Sequence, residues 1–318
     1  VSLPADLGIV VVNYGYPTLL EENLVTLARH HRRDRVVVVD NFSGIAQRAA
    51  TTALARREGW ALIAPALNLG FGAGVNAGAS HLIAGGCQRL LLLNPDALID
   101  EAGVQALAEA CAADPASLQC PRIERSDGTL WFNGGTLDVR TGRTHTGPRS
   151  NSSAPNGWVT GACLMVHASM WQWLNGFDER YFLYWEDVDL SWRCVKAGGS
   201  LVVRDDITVV HGVGGTQAAS GKSRAYVYFN IRNRMMFAAT HLGRHQILRW
   251  FLLGPGYAAE VLQRGGRRDL LRHLAPLLLA ALRGSARGAA LTGAALVDRP
   301  DRTGAPGARH LQTVTEKS

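Results

Sequence analysis

An α/β fold with a mostly parallel central sheet flanked by helices is predicted by two features of the chain. Short β-branched or leucine runs alternate with helix-like stretches, and each run is bounded by polar or glycine-bearing turns. Ile9 to Val12 and Val36 to Val39 are the first two runs, with a helix-like stretch from about Leu19 to His30 between them, which reads as a βαβ unit. A weak strand at Ala61 to Ala64, a glycine-rich turn, a helix through Val75 to Ala84 and a leucine strand at Leu90 to Leu93 repeat the pattern. Strands covered on both faces need continuous apolar runs, and these runs are continuous. In such sheets ligands sit beyond the carboxyl ends of the strands. The residues there are Asn13-Tyr14-Gly15, Asp40-Asn41-Phe42-Ser43 and Asn94-Pro95-Asp96.

From about Cys120 to Ser153 the pattern changes to short strands broken by Asp127-Gly128 and Asn133-Gly134-Gly135, a hairpin-rich insertion. Apolar structure resumes at Trp158 to Val166. An acidic-aromatic segment from Phe177 to Asp189 then leads into a helix ending near Gly198-Gly199, and a last strand, Ser200 to Val203 or Ile207 to Val210, meets His211. Beyond about residue 240 the composition shifts to Leu, Ala and Arg. The expected organisation is a catalytic domain over 1–240, a basic amphipathic helical appendage over 241–300 and a disordered tail over 301–318.

The chain has 318 residues, 47% hydrophobic and 19% charged, an ordinary globular mixture that argues against a disordered, collagen-like or disulfide-stapled protein. Its net charge of +7 rests on thirty arginines and three lysines against 26 acids, which favours anionic partners. No recognition motif accompanies the arginines, so nucleic acid is not expected among them. Five cysteines without a C-x-x-C pair suit reduced thiols and predict no structural zinc. The first residues run straight into a strand without a basic n-region, so secretion is not expected.

Several residues are candidates for chemistry. Asp40 at a strand end can accept from a ring N–H or ribose hydroxyl, and reads equally as a helix N-cap. The Asn68 to Asn76 segment carries Gly70, Gly72 and Gly74 before a helix, so bare N–H groups can face a diphosphate. Gly72-x-Gly74-x-x-Ala77 also satisfies the dinucleotide fingerprint, with Asp96 twenty-four positions on. That makes an NAD-type oxidoreductase a rival, although the first βα turn carries no such motif. Asp96 is either a ligand for Mg²⁺ or Mn²⁺ or a helix cap before Asp100-Glu101, and Asn94 can bond a ribose. Glu186, Asp187 and Asp189 beside Trp185 exceed what capping needs, and desolvation there raises a carboxylate toward general-base use. His211 is a metal ligand or a core histidine.

Taken in order, Val11-Val12-Asn13-Tyr14, Val39-Asp40-Asn41-x-Ser43, Asn68-Leu69-Gly70-Phe71-Gly72, Asn94-Pro95-Asp96, Thr160-Gly161-Ala162 and Trp185-Glu186-Asp187 resemble family 2 glycosyltransferases of the GT-A fold. The likeness spans about residues 7 to 240 and is closest to bacterial rhamnosyltransferases and galactofuranosyltransferases of cell-envelope glycans. Tyr228-Phe229-Asn230-x-Arg232-Asn233 resembles the segment that follows the catalytic domain in these enzymes. The resemblance implies that Asn13, Tyr14, Asp40 and Asn41 hold the nucleotide base and ribose, with Asn68, Gly70, Asn76 and Asn94 near the ribose and diphosphate. It implies that Asp96 is the metal-binding acid of the family's Asp-x-Asp motif, whose first position is here Asn94. Asp187 corresponds to the catalytic base, and His211 to a metal-ligating histidine. Trp158, Thr160, Gly161 and Glu186 then line the donor-sugar and acceptor pocket, and Trp185 offers a face to a sugar ring.

The implied reaction is an inverting, Mg²⁺- or Mn²⁺-dependent transfer from a TDP- or UDP-sugar, TDP-rhamnose first among them, to a glycan or lipid-linked acceptor. The alternatives are the NAD-type oxidoreductase and a non-catalytic sugar-nucleotide or membrane-binding module. Between Arg264 and Arg287 six arginines and one acid interleave with Leu-Ala stretches. The nine residues Leu274 to Leu282 are too few to span a bilayer, which takes about 20. A helix lying on an anionic membrane fits this composition, as does a helix packed on the catalytic domain or a dimer partner. The expected location is cytoplasmic, peripheral on the inner face of the membrane.

Overall fold

β1 (Leu7–Asn13) and β2 (Val36–Asp40) are buried along their whole length, as strands covered on both faces must be. Between them lie α1 (Pro17–Leu19), a π turn over Leu20–Leu24 and α2 (Val25–Ala28). α3 (Ile45–Glu58), β3 (Ala61–Ile63), α4 (Phe71–Ala84) and β4 (Arg89–Leu93) complete the first half. There follow β5 (Ala97–Leu98), α5 (Glu101–Ala113), β6 (Ser117–Arg125), β7 (Leu130–Phe132), β8 (Gly135–Asp138), β9 (Arg143–Thr146), β10 (Gly157–Trp158) and β11 (Cys163–His167). α6 (Ala168–Trp173), α7 (Glu186–Lys196), β12 (Ser200–His211), α8 (Arg224–His241), α9 (Arg244–Leu252), α10 (Gly254–Gln263), α11 (Arg267–Arg272) and α12 (Leu274–Asp298) end the chain. This computed structural model describes residues 3–29, 31–147, 155–212 and 222–298, and the expected tail over 301–318 lies outside them.

The main sheet runs β3-β2-β1-β4-β11-β6-β12-β5, with β7 on β6. The first four strands are parallel, β11 is antiparallel to β4 and β6, and β12 returns parallel to β6. A small antiparallel sheet, β10-β8-β9, stands apart. The two stretches predicted as alternative last strands are one strand, β12. Its register on β6 shifts between Arg204 and Thr208, where the exposed Arg204–Asp206 ion pair marks the irregularity.

The glycines of α4 serve packing. A Cβ on Gly78 would lie 2.5 Å from Val10 Cγ1, one on Gly74 would lie 3.1 Å from Val12, and one on Gly72 would lie 3.0 Å from Phe177 Cβ. The spacing that mimics a dinucleotide fingerprint therefore lets α4 press onto β1 and the Phe177 turn. All five cysteines are buried free thiols, and burial pushes Cys111, Cys120 and Cys194 up to about 12.

A second core joins Leu137, Tyr181, Trp185 and Val188 to residues of α8, α9, α10 and α12, so the helices beyond residue 240 pack on the main domain. Arg234 lies at its centre, 1% exposed, between the rings of Trp250 and Tyr257. It donates to the carbonyls of Gly142 (3.2 Å), Thr141 (2.7 Å) and Trp250 (3.0 Å), tying the β8–β9 turn to α8 and α9. No described helix is long and apolar enough to cross a membrane. An orphaned buried carbonyl costs roughly 1–3 kcal/mol. Arg234→Met should therefore lower stability by about 3 kcal/mol or more in urea unfolding, and an unchanged midpoint and slope would refute the role assigned to Arg234.

Candidate active site

β1 and β2 end side by side, with Asn13 paired to Asp40 in register, and both side chains are fully buried. Asn13 Nδ2 donates to Thr51 Oγ1 (3.1 Å) and Asp40 Oδ2 accepts from Arg48 Nε (2.6 Å), but Asn13 Oδ1 and Asp40 Oδ1 have no partner among the described residues. Two orphaned acceptors at adjacent strand ends suit a ligand that brings N–H or O–H donors. Arg48 also donates to the carbonyls of Asp40 and Pro65 and lies over the Phe42 ring. Its part in fixing Asp40 has no signal in the sequence. Tyr14, half exposed, stands free beside this end.

The other amides of the nucleotide set are engaged within the protein. Asn41 Nδ2 donates to Gly70 O and its Oδ1 accepts from Leu69 N, both at 2.8 Å, while Asn68 Oδ1 accepts from Gly70 N. Both hold the loop in shape. Asn76 accepts from Phe177 N (2.9 Å) and donates to Phe177 O and Glu179 Oε1, so its amide ties α4 to the Phe177 turn and leaves nothing for a ribose. Gly70 has φ +89° and a Cβ there would lie 2.4 Å from Phe182 O, so it is required by the loop crossing above it.

Asp96 follows β4 in a turn held by Asn94 N donating to Ala162 O (2.8 Å) and by Asn23 Nδ2, from the π turn, donating to Pro95 O (2.8 Å). Asp100, not Asp96, caps α5, accepting from Gly103 N at 2.7 Å. β5 pairs Ala97 with His211, which brings His211 Nε2 to 2.9 Å from Asp96 Oδ1 and 3.3 Å from Asn94 Nδ2. His211 Nδ1 is buried without a partner among the described residues. The two side chains are paired directly here; adjacent ligands of an octahedral ion at about 2.1 Å lie about 3.0 Å apart, so the same separation also fits a carboxylate and an imidazole on one cation. Among the described residues no group of three or more His, Cys, Asp and Glu side chains gathers. A pair is nonetheless enough for Mg²⁺ or Mn²⁺, which take the rest of their ligands from substrate phosphate and water.

The acids of α7 have three different environments. Asp187 Oδ1 accepts from Val188 N (2.8 Å) and Oδ2 from Gly161 N (3.4 Å), and burial pushes its carboxyl up to about 6 against these bonds. Glu186 is buried with Oε2 unpartnered. Burial first, then the charge of Asp187, drives it well above the usual carboxylate range. Asp189 is bound by Arg193 Nε (2.7 Å), His241 Nε2 (2.6 Å) and Tyr181 Oη (3.3 Å). It belongs to the packing of α7 on α8. Trp185 is 4% exposed and sits against Phe237 and Trp250, so it presents no face to a sugar.

Thr160-Gly161-Ala162 connects the two sets. Ala162 O receives Asn94 N and Gly161 N reaches Asp187. Ser191 Oγ accepts from Val159 N and donates to Asp187 O, locking α7 to the same connecting segment between β10 and β11. A row of rings, His211–Trp131 (4.8 Å), Trp131–Phe132 (6.2 Å) and Phe132–Trp158 (4.9 Å), runs from the Asp96–His211 pair to the Trp158 indole. Trp158 Nε1 and Asn133 Oδ1 are buried without partners. Trp131 and Asn133 had only a turn signal, Asn133-Gly134-Gly135, to mark them.

Residues 8–173 match the model of glycosyl transferase family 2. A Mycobacterium tuberculosis N-acetylglucosaminyl-diphospho-decaprenol L-rhamnosyltransferase is 30% identical over 233 residues, covering 64% of this chain and 75% of that protein. The low-salt glycan biosynthesis hexosyltransferase Agl10 of Haloferax volcanii is 24% identical over 244 residues, 73% of this chain and 75% of that one. In fold, the chain is similar to a mannosyltransferase of Pyrobaculum calidifontis solved with GDP-Man and Mn²⁺, with a TM-score of 0.53, 17% identity, and 92% and 86% of the two chains covered. The family model takes in just over half of the chain, and the NAD-type reading of the Gly72 loop gives way to it: this chain belongs to glycosyl transferase family 2.

Proposed function

We propose that the chain is an inverting, metal-dependent rhamnosyltransferase that moves rhamnose from TDP-rhamnose to a hydroxyl of a polyprenyl-diphosphate-linked N-acetylglucosamine. The name of the mycobacterial relative supports the donor sugar and acceptor. The observation that carries the chemistry is that Asp187 and the Asp96 loop are both hydrogen-bonded to the Thr160–Ala162 segment. Asp187, ionised at neutral pH, takes the proton of the acceptor hydroxyl as its oxygen attacks the anomeric carbon. The bond to the nucleoside diphosphate breaks on the opposite face, and the configuration inverts. Asp96 and His211 hold the Mg²⁺ or Mn²⁺, with Asn94 beside them. The cation, when bound, offsets the charge that grows on the leaving diphosphate. Asn13, Tyr14 and Asp40 receive the base and ribose, and Trp158, Thr160 and Glu186 bound the sugar and acceptor.

The C-terminal helices support contact with an anionic membrane in the cytoplasm. α12 buries Leu277, Ala280, Gly284 and Gly288 and turns Leu278, Leu282 and Arg283 outward, leaving more leucine on its surface than a helix covered only by the protein needs. A Cβ on Gly284 would lie 2.8 Å from Tyr228 O and one on Gly288 would lie 2.9 Å from Met235 Cβ, so the small residues are there for close approach to α8. α9 exposes Phe251 and Leu252. This is the arrangement of a surface that presents leucine to lipid and arginine to headgroups.

Three tests follow from this reading. Thermal-shift titration of the full chain with TDP, UDP, GDP and NAD, with and without Mn²⁺, should show metal-coupled stabilisation by a nucleoside diphosphate and none by NAD. Asp96→Ala should abolish the metal coupling, and an Asp96→Ala protein with near-normal Mn²⁺-dependent turnover would sink the metal assignment. Binding without product across a panel of activated sugars would leave a sugar-nucleotide-binding module in place of the enzyme.

Asp187→Asn should lower kcat by about 10²- to 10⁴-fold with little change in nucleotide binding. Because the base must be ionised, wild-type kcat/KM should rise with pH through about 6 and then level off. A flat profile between pH 5 and 7 would contradict Asp187 as the base.

Truncation near residue 240 would strip the partners of Trp185 and Phe237, so point substitutions are the suitable probe of membrane contact. Co-sedimentation with anionic phospholipid vesicles should fall about tenfold or more in the Phe251→Glu, Leu252→Glu double variant. Unchanged binding would rule this surface out.

A further inference from the structure

We infer that Asn233 of α8 is a positioning residue for the catalytic base, clamping the loop that delivers Asp187. Asn233 is fully buried, and its Nδ2 lies 2.8 Å from Tyr181 O, 2.9 Å from Leu183 O and 2.8 Å from Tyr184 O. Two amide hydrogens thus serve three carbonyls of one short loop. Its Oδ1 accepts from Arg232 Nη1 (2.6 Å), which also donates to Arg180 O (2.8 Å). Arg232 therefore sets which end of the amide faces the loop.

The loop needs holding. Phe182, Tyr184 and Trp185 have φ of 56°, 67° and 75°, a left-handed region that side-chain-bearing residues rarely occupy, and three in four residues persist only where the surroundings over-determine them. Phe182 O points the other way and accepts from Phe71 N at 2.7 Å, so the loop is pinned from α4 on one side and from Asn233 on the other. Trp185 is the last residue before α7, and Asp187 stands two residues beyond it.

One face of α8 matches this loop along its length. Tyr226 meets Tyr184 edge-on at 5.2 Å, Phe229 stacks on Phe182 at 5.0 Å, and Phe237 packs against Trp185 at 5.7 Å. With Asn233 these positions recur at three, four and four residues, one side of a helix. The far end of α8 is fixed to α7 by His241 on Asp189, so Asn233 is presented from a stationary support. An Asn in this interior is matched to carbonyl oxygens that no apolar residue can satisfy.

This inference rests on the proposed role of Asp187, and its test separates the two. In Asn233→Ala, kcat should fall about 10- to 100-fold, the scale of a base displaced by about an ångström, while Mn²⁺-dependent TDP binding stays within about twofold of wild type. Asn233→Asp keeps the size but turns the donor into an acceptor against three carbonyls, so its kcat should lie below that of Asn233→Ala. A residue that merely fills space would give the opposite order. Amide hydrogen exchange over residues 182–188 should quicken in both variants relative to α4. Wild-type kcat and wild-type exchange in folded Asn233→Ala would overturn the clamp. Should neither variant fold, Arg232→Gln at a partly buried position gives the same readouts in milder form, with a several-fold loss of kcat and quicker exchange expected. Its having no effect on either would likewise overturn the clamp. If the wild-type chain transfers no sugar from any donor, the function falls, and the exchange data alone still decide whether Asn233 holds the loop.

Discussion

The backbone of Thr160-Gly161-Ala162 is the constraint on which the site depends, because it is hydrogen-bonded both to the turn that carries Asp96 and to Asp187 of α7, the side chains proposed to act on one substrate. Ala162 O fixes the start of the Asn94–Asp96 turn and Gly161 N reaches the Asp187 carboxylate. The segment leads into β11, which pairs antiparallel with β4 from Cys163 on Leu93. The place where the parallel half of the sheet meets its first antiparallel strand is therefore also where the two halves of the proposed site meet. A Cβ on Gly161 would sit 3.3 Å from the Phe71 ring, so this crossing is packed from the α4 side as well.

Three acids on the first turns of α7 show how environment divides like residues into different roles. A helix N-terminus favours negative charge, and Asp187 collects two backbone N–H groups there. Burial works against it, and the balance leaves a carboxylate that gains and loses its proton near neutrality. Glu186, beside Gly72, has burial without a compensating donor on Oε2 among the described residues, and its carboxyl is driven well above the usual range. Asp189 meets an arginine and a histidine instead and is spent on holding the helices together.

The strand ends were legible in the sequence because burial on both faces writes continuous apolar runs: Val36 to Val39 and Leu90 to Leu93 admit little else. The order of the motifs singles out Asp96 and His211, yet what brings them together is the pairing of β5 with the end of β12, a contact between strands 114 residues apart by their paired positions, 211 and 97, that no local pattern announces. The Gly72 loop misled for a physical reason, since glycine marks close approach whether the approaching group is a phosphate or Val10. Trp185 misled similarly. An aromatic beside acids looks like a sugar platform until the second core, assembled from residues 137 to 281, closes over it. Asn233 carries no signal for its role within the Tyr228–Asn233 motif, because its partners are backbone carbonyls, which every sequence has.

That second core changes what the C-terminal helices can be. Arg234 and Trp250 bind the β8–β9 turn, and α8 faces the loop before Asp187 with one side while α12 presses its glycines against α8. Between the outward leucines of α12 and the loop before Asp187 there is only one further helix, α8, packed at both of its contacts. Close-packed interiors of this kind have low compressibility, so a surface gripping α9 and α12 would be in register with the base. For an enzyme whose acceptor is carried on a lipid, the distance from membrane to catalytic carboxylate would then be set by rigid packing, and the acceptor sugar would have to reach a fixed point above the headgroups.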